Sequence, residues 1–188
     1  MKKKCFLVIL FFGFVFSAFA QNANDFRYIV ENGRITITGF NVKVPETLII
    51  PASINGWPVT AIGHHAFQKN QLTSVTIPNS VTTIGECAFM DNNLASVTIP
   101  NSVTTIGHYA FQKNQLTSVT IPNSVTTIGS KAFSNNRLAS VTIGTSVTTI
   151  GSEAFAGEGN RIERVEIPRS VVNFDSSVFN VGVVITRP

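Results

Sequence analysis

The sequence predicts a mainly β solenoid, in which the chain winds into stacked coils of about 22 residues. Three observations predict it. An Ile-Gly pair recurs every 22 residues, and seven apolar positions recur in phase with it. Residues 66–85 recur unchanged as residues 110–129, which indicates duplication of a two-repeat block. The pairs begin at Ile62, Ile84, Ile106, Ile128 and Ile150.

The first twenty residues have the pattern of a cleaved signal peptide. Lys2–Lys4 form a positive start, and an apolar run follows from Phe6 to Phe16. This run is shorter than the roughly 20 residues that span a bilayer. Ala18-Phe19-Ala20 fits the small-x-small pattern of a cleavage site. We therefore expect an exported protein, periplasmic, on the cell surface or extracellular, with no membrane span in the mature chain.

The segment after the signal peptide is predicted to cap the solenoid. Two alternating runs flank Asn32-Gly33, which is a strong hairpin signal. The first coil is imperfect, because an extra loop around Asn55-Gly56-Trp57 lengthens it. At the other end, residues 183–185 are predicted to add a closing edge strand. The predicted organisation is a signal peptide (1–20), an N-terminal β cap (21–47), a solenoid of about six coils (48–180) and a C-terminal closing strand (181–188).

Each coil is predicted to contain two short strands and a short helical or 3-10 turn. In the second repeat, residues 74–77 alternate polar and apolar, as in a strand with one buried face. Pro78 has no N–H and ends this strand. Residues 81–84 are β-branched and indicate a second strand on the far wall, after which Gly85 permits a sharp corner.

Two columns of identical residues are predicted to bind the coils together. One phenylalanine in each coil is expected in a shared aromatic spine, because one coil cannot bury its apolar face alone. One asparagine precedes each first strand. These asparagines are either surface turn residues or a ladder in which each side-chain amide bonds backbone groups of the neighbouring coil. We favour the ladder. The columns are Phe67, Phe89, Phe111, Phe133, Phe155 and Phe179, and Asn70, Asn92, Asn114, Asn136 and Asn160.

The repeat L-x-x-V-x-I-P-x-S-V-x-x-I-G-x-x-A-F resembles the BspA-like subclass of bacterial leucine-rich repeats over about residues 45–180. The resemblance implies a secreted or surface-exposed solenoid, often concerned with adhesion to host proteins or other cells. This chain departs from the family in two ways. Many relatives carry Cys and one more residue where this chain has Asn-x-Leu, and the large anchoring domains of many such adhesins are not found here.

Charge and motifs argue against several classes of function. Outside the first twenty residues, 11 Lys and Arg face 10 Asp and Glu, so the basic face of a nucleic-acid binder is not expected. No GxSxG, HExxH, CxxC or phosphate loop occurs, so we predict no enzyme and no cofactor. One column aligns His64, Glu86 and His108 beside His65 and Cys87. These are zinc-type ligands, but we interpret them as variable surface positions and predict no metal site.

Only one cysteine, Cys87, lies outside the signal segment, so no internal disulfide is possible in the mature chain. It is either a small, half-buried hydrophobe, which we favour, or a reactive thiol. The stability of the mature chain is therefore expected to come from packing.

The leading functional hypothesis is an exported module that binds a protein or glycan, of the adhesin type. The alternative is a structural protein of the cell envelope whose coils stack end to end. A third hypothesis is that the Ser-x-Thr ranks of the first strands recognise ice or a polysaccharide. Binding is expected where the repeat pattern breaks. The candidates are Trp57, which is either a lid on the cap (favoured) or an exposed anchor, His108 and Tyr109 on the central turn, and Arg164.

Overall fold

The computed structural model describes residues 21–172, 174 and 176–187. The predicted signal peptide lies outside them. The chain forms a β-solenoid of about seven turns with almost no helix, so the predicted fold class is confirmed. We number the coils from their leucine or isoleucine: coil 2 is 72–93, coil 3 is 94–115, coil 4 is 116–137, coil 5 is 138–161 and coil 6 is 162–183. Coil 1, residues 48–71, follows the cap.

The strands are short because each coil turns its corners within a few residues. In the described residues they are β1 (Phe26–Glu31), β2 (Arg34–Phe40), β3 (Thr47–Ile49), β4 (Ser53–Ile54), β5 (Trp57–Ile62), β6 (Ser74–Thr76), β7 (Thr83–Ile84), β8 (Thr105–Ile106), β9 (Ser118–Ile121), β10 (Thr127–Ile128), β11 (Ser140–Ile143), β12 (Thr149–Ile150), β13 (Arg164–Glu166) and β14 (Val184–Thr186). Two 3-10 helices occupy Ala23–Asp25 and Ser176–Val178.

One side of the solenoid carries a continuous parallel ladder. Strands β2, β5, β7, β8, β10 and β12 pair in that order. The turn after each of these short strands is paired as well, since Tyr109 N donates to Ser130 O at 3.0 Å and Phe111 N to Ala132 O at 2.8 Å. We call this side, residues 104–113 in coil 3 and the equivalent positions elsewhere, the Thr-Ile wall.

The opposite side, which carries the repeated Ser-Val-Thr-Ile segments, is interrupted. Its strands form three separate pairs, β3 with β6, β9 with β11 and β13 with β14. We call it the Ser-Val wall. The ladder of this wall is broken at coil 3, whose residues 96–99 form no strand, and between β11 and β13.

Apolar columns fill the space between the two walls. The phenylalanine rings of coils 1–6 stack in sequence, with centroids 5.3–5.6 Å apart and planes within 15° of parallel. The first five of these rings are fully buried. Leucine, valine, isoleucine and alanine columns surround them, so each coil completes the core of its neighbours.

The turn between the Thr-Ile strand and the phenylalanine differs in detail from the expected helical turn. In coil 2 it consists of two short turns, closed by Ala88 N to Gly85 O at 3.3 Å and Met90 N to Cys87 O at 3.2 Å. Cys87 and its equivalents have a left-handed backbone, with φ between 53° and 57°. Only coil 6 has a 3-10 helix at this place.

The repeated glycine was expected to permit a sharp corner, but its role is different. Gly85 and Gly107 do not have positive φ. A Cβ on Gly107 would lie 2.7 Å from both Glu86 N and Gly85 C, atoms of the preceding coil. The glycine column therefore permits close approach of the backbones, as the short hydrogen bonds of the Thr-Ile wall require.

Separate structures close the two ends. Strands β1 and β2 form the hairpin cap, with Asn32 and Gly33 both at positive φ as a type I′ turn requires. The loop expected around Asn55-Gly56 is a second hairpin, β4–β5. At the other end, β14 pairs in parallel with β13 and begins a seventh turn. Arg187 lies over the ring of Phe174, with Cζ 5.4 Å from the centroid.

Candidate functional site

The four binding candidates from the sequence lie in three places. Trp57 begins β5 in coil 1, while His108 and Tyr109 lie in the centre of the Thr-Ile wall. Arg164 is exposed on β13 of the opposite wall, near the C-terminal end. These residues therefore do not form one contiguous site.

Trp57 connects the two hairpins of the N-terminal end. Its side chain is 49% exposed. The other part packs on the β1–β2 turn, where a Cβ on Gly33 would lie 2.7 Å from Trp57 Cζ3. Nearby, Asn55 Nδ2 donates to the Tyr28 hydroxyl at 3.2 Å, which links the same two hairpins. The indole thus both covers a turn and presents an open face to solvent.

His108 and Tyr109 are held by the intercoil ladder. The Ser130 backbone N–H donates to His108 Nδ1 at 2.9 Å, which orients the exposed imidazole along the wall. Tyr109 is half-buried, with a left-handed backbone at φ 57°. Both side chains are therefore fixed to a rigid backbone rather than to a mobile loop.

A pair of facing polar side chains lies on each side of these two residues. Towards the N-terminus, His64 Nδ1 and Glu86 Oε2 are 3.7 Å apart. Towards the C-terminus, Lys131 Nζ and Glu153 Oε1 are 3.4 Å apart. The chemically most varied positions of the repeat thus form a polar surface around an aromatic centre.

The zinc-type column does not assemble into a metal site. Among the described residues, no group of three His, Cys, Asp or Glu side chains could hold a metal ion. His108 Nδ1 accepts the Ser130 N–H, which leaves only Nε2 of this ring for another partner. Cys87 is buried, and burial followed by the charge of Glu86 raises the pKa of its thiol. A thiol in this state forms little thiolate at neutral pH, so Cys87 has the features of a packing residue.

Most members of the asparagine column contact backbone groups in two successive coils. Asn114 Oδ1 accepts from Leu94 N at 3.1 Å, and its Nδ2 donates to Phe89 O at 2.9 Å and Phe111 O at 3.1 Å. Asn92, Asn136 and Asn160 make the equivalent contacts. Asn70 differs, because its Nδ2 donates to Gln68 O of its own coil. Asn180, which the sequence analysis did not include, extends the column by donating to Asn160 O.

Hydroxyl groups on the two walls have different partners. On the Thr-Ile wall, Thr104 Oγ1 donates to Thr82 O at 3.2 Å, and the contact repeats from coil to coil. On the Ser-Val wall, none of the exposed Ser and Thr hydroxyls at positions 96, 98, 118, 120, 140 and 142 has a partner within the described part of the chain. The Ser-Val wall therefore offers ranks of hydroxyls that are free to meet a ligand.

Exposed large hydrophobic side chains occur at the two ends, and the described residues between 58 and 171 have none. At the N-terminal end they lie on the hairpins and β3, and at the C-terminal end on and around β14. They are Ile29, Val30, Val42, Ile49 and Trp57, and Val172, Val181, Val184 and Ile185. No helix in the described part of the chain is long and apolar enough to cross a membrane.

The family comparison agrees with the repeat seen in the structure. A model described as BspA type Leucine rich repeat region matches residues 60–182 in six copies. No curated protein matches the chain at significant similarity.

Solved bacterial leucine-rich repeat proteins share the fold. The T. pallidum Leucine Rich Repeat protein (TpLRR) is 28% identical, with a TM-score of 0.75 over 89% of this chain and 80% of that one. A leucine rich cell surface protein from Faecalibacterium prausnitzii A2-165 is 26% identical, with a TM-score of 0.64 over 89% of this chain and 54% of that one. The pneumococcal vaccine antigen PcpA is 23% identical, with a TM-score of 0.68 over 86% and 47%. This chain thus spans about half the length of the last two.

Proposed function

The chain belongs to the BspA-type leucine-rich repeat family, and on that premise we propose that it is an exported module that binds a protein partner through its Thr-Ile wall. The observation that supports this proposal is where the variable positions of the repeat lie. They lie side by side on the one wall whose backbone ladder is continuous from the cap to coil 5. A rigid wall loses little conformational entropy when it binds a partner, which favours affinity.

The composition of this wall supports a protein partner. Interfaces concentrate affinity in a few aromatic residues or arginines, surrounded by a polar rim. Tyr109 and His108 form such a centre, with a pair of facing polar side chains on either side. Five coils at about 4.8 Å extend only roughly 20 Å, however. A typical partner surface is about 800 Å², so we expect affinity near micromolar from this wall alone.

The experiment is binding of the purified protein to a panel of purified extracellular matrix and cell-surface proteins. We expect His108→Ala with Tyr109→Ala to weaken a specific interaction about tenfold or more. The matched control, Asn79→Ala with Thr117→Ala, changes exposed residues outside the Thr-Ile wall. Equal binding by both variants would reject the Thr-Ile wall as the site, and melting temperatures show that each variant is folded.

The role of Trp57 has a separate test. A Trp57→Ala protein that keeps its melting temperature but loses binding would identify an anchor. A protein that loses several degrees and keeps binding would identify a lid, and the packing on Gly33 favours this second result.

Export is part of the proposal and is supported by the pattern of the first twenty residues. Fractionation of the source cells should find a mature chain that starts at Gln21, measured by mass spectrometry. An uncleaved chain in the cytoplasm would contradict export.

A second candidate function, end-to-end assembly at the cell envelope, is favoured by one observation. The exposed large hydrophobic residues are confined to the two ends, where copies would meet. Light scattering over a concentration series should then show oligomers. Val184→Lys, in the last strand β14, should reduce them, whereas monomers at all concentrations would reject assembly.

A further inference from the structure

From the Ser-Val wall we infer a second binding site, a groove at coils 3–5 that takes an uncharged, hydroxyl-rich glycan chain. The groove encloses about 610 Å³. The polar side chains that line it include Ser96, Thr98, Asn101, Ser118, Thr120 and Thr142. This site is separate from the Thr-Ile wall and does not depend on the function proposed for that wall.

The groove coincides with the break in the strand ladder. Residues 95–99 form no strand, and in the described structure their backbone N–H and C=O groups have no hydrogen-bond partner in the protein. Residues 74–77, 96–99, 118–121 and 140–143 all read Ser-Val-Thr-Ile. Because only one of these four identical segments forms no strand, the Ser-Val-Thr-Ile sequence by itself does not cause the break.

The coils on the two sides of residues 95–99 remain adjacent. Just before this segment, Asn93 N donates to Leu72 O at 2.8 Å and Gln115 N to Leu94 O at 2.9 Å. Beyond these bonds, no backbone hydrogen bond within the described structure joins residues 95–99 to either neighbouring coil. Water or a hydroxyl group of a ligand can satisfy the free backbone groups.

The lining selects the chemical class of the ligand. No residue that lines the groove is charged, so nothing there attracts an anionic or cationic polymer. Hydroxyl and amide groups match the hydroxyl edges of a sugar, since each can donate and accept. Val97 is only half-buried at the groove, unlike the buried Val119 and Val141 of the next coils. Its methyl groups offer an apolar surface for the C–H face of a pyranose ring.

A peptide partner fits this groove less well than a glycan. A peptide binds by β-augmentation to the exposed edge strand of a sheet, whereas residues 95–99 form no strand and lie between coils 2 and 4. A linear glycan presents hydroxyls at every unit, at intervals close to the spacing of the coils. The serine and threonine hydroxyls repeat at that same coil spacing.

The test is calorimetric titration of the purified protein with cellohexaose and with β-1,4-mannohexaose. Thr98→Val with Thr120→Val removes two free hydroxyls and keeps the shape of both side chains. The matched control, Thr104→Val with Thr126→Val, makes the same change on the Thr-Ile wall. We expect saturable binding of at least one hexasaccharide, about tenfold weaker in the first variant and unchanged in the control.

Three outcomes would overturn the inference. The first is that neither hexasaccharide binds at millimolar concentration. The second is that both double variants bind as the parent does. The third is that a neutral Gly-Ser octapeptide binds in the groove while the hexasaccharides do not, which would make it a peptide site. His108→Ala with Tyr109→Ala should leave saccharide binding unchanged, so a failure of the Thr-Ile wall proposal is distinguishable.

Discussion

The two walls of the solenoid are built from the same repeat but differ in their hydrogen bonding. The Thr-Ile wall has a continuous ladder, glycines without room for a Cβ, and threonine hydroxyls bonded to the next coil. The Ser-Val wall has an interrupted ladder, free hydroxyls and a half-buried Val97. The comparison teaches that one wall fixes the coils to each other, while the other leaves hydroxyl groups and the backbone of residues 95–99 without partners in the described structure.

Substitutions in the core near the Thr-Ile wall should have the largest effect. Phe111→Ala removes a fully buried ring that stacks 5.3 Å from each neighbouring ring, so we expect a loss of about 3–5 kcal/mol in the free energy of unfolding. The matched change on the Ser-Val wall, Val97→Ala, should lower the free energy of unfolding by only about 1 kcal/mol, because Val97 is half-buried. Denaturant unfolding measures both, and similar losses would show that the walls are equally packed.

The close approach of backbones predicts the next effect. Gly107→Ala places a Cβ 2.7 Å from Glu86 N, so coils 2 and 3 must separate, at a cost of about 3 kcal/mol. Ser118→Ala on the Ser-Val wall changes an exposed side chain without a partner. It should change the free energy of unfolding by no more than about 0.5 kcal/mol. If thermal unfolding showed Gly107→Ala to be neutral, the account of the glycine column would be wrong.

The asparagine column should contribute somewhat less. Asn114→Ala leaves the buried Leu94 N–H and Phe89 C=O without their side-chain partner, and we expect a loss of about 2 kcal/mol. The control, Asn101→Ala, removes an exposed side chain and should change stability little. Equal melting temperatures of the two variants would indicate that Asn114 is only a surface turn residue.

The smallest difference is expected between the threonines of the two walls. Thr104→Val removes the hydroxyl that donates to Thr82 O and should cost about 0.5–1 kcal/mol. Thr98→Val removes a hydroxyl without a partner and should cost nothing measurable, since valine is favourable in extended segments. A larger cost for Thr98→Val would mean that its hydroxyl has a structural partner.

Much of the fold was predictable because the sequence repeat determines the shape of each coil. The 22-residue period, the apolar columns and the Asn-Gly signal at residues 32–33 predict the solenoid and its hairpin cap. The same Asn-Gly signal at residues 55–56 predicts the β4–β5 hairpin, although we interpreted that segment as a loop. The role of the repeated glycine was not predictable, because spacing does not distinguish a left-handed corner from a close approach.

The candidate sites were less predictable than the fold. Sequence variation identified His108 and Tyr109 as candidates. It did not predict that they lie on the Thr-Ile wall between two pairs of facing polar side chains. The groove at coils 3–5 has no signal in the sequence, since its strand segments are identical to their neighbours.

Hydrogen exchange of backbone amides tests the difference between the walls most directly. The amides of Gly107, Tyr109 and Phe111 donate to adjacent coils and should exchange only through unfolding of the stack. The amides of residues 96–99 have no partner in the described structure and should exchange at least about a hundredfold faster. Protection of residues 96–99 equal to that of Phe111 would show that the Ser-Val ladder is closed in solution, and would contradict the account.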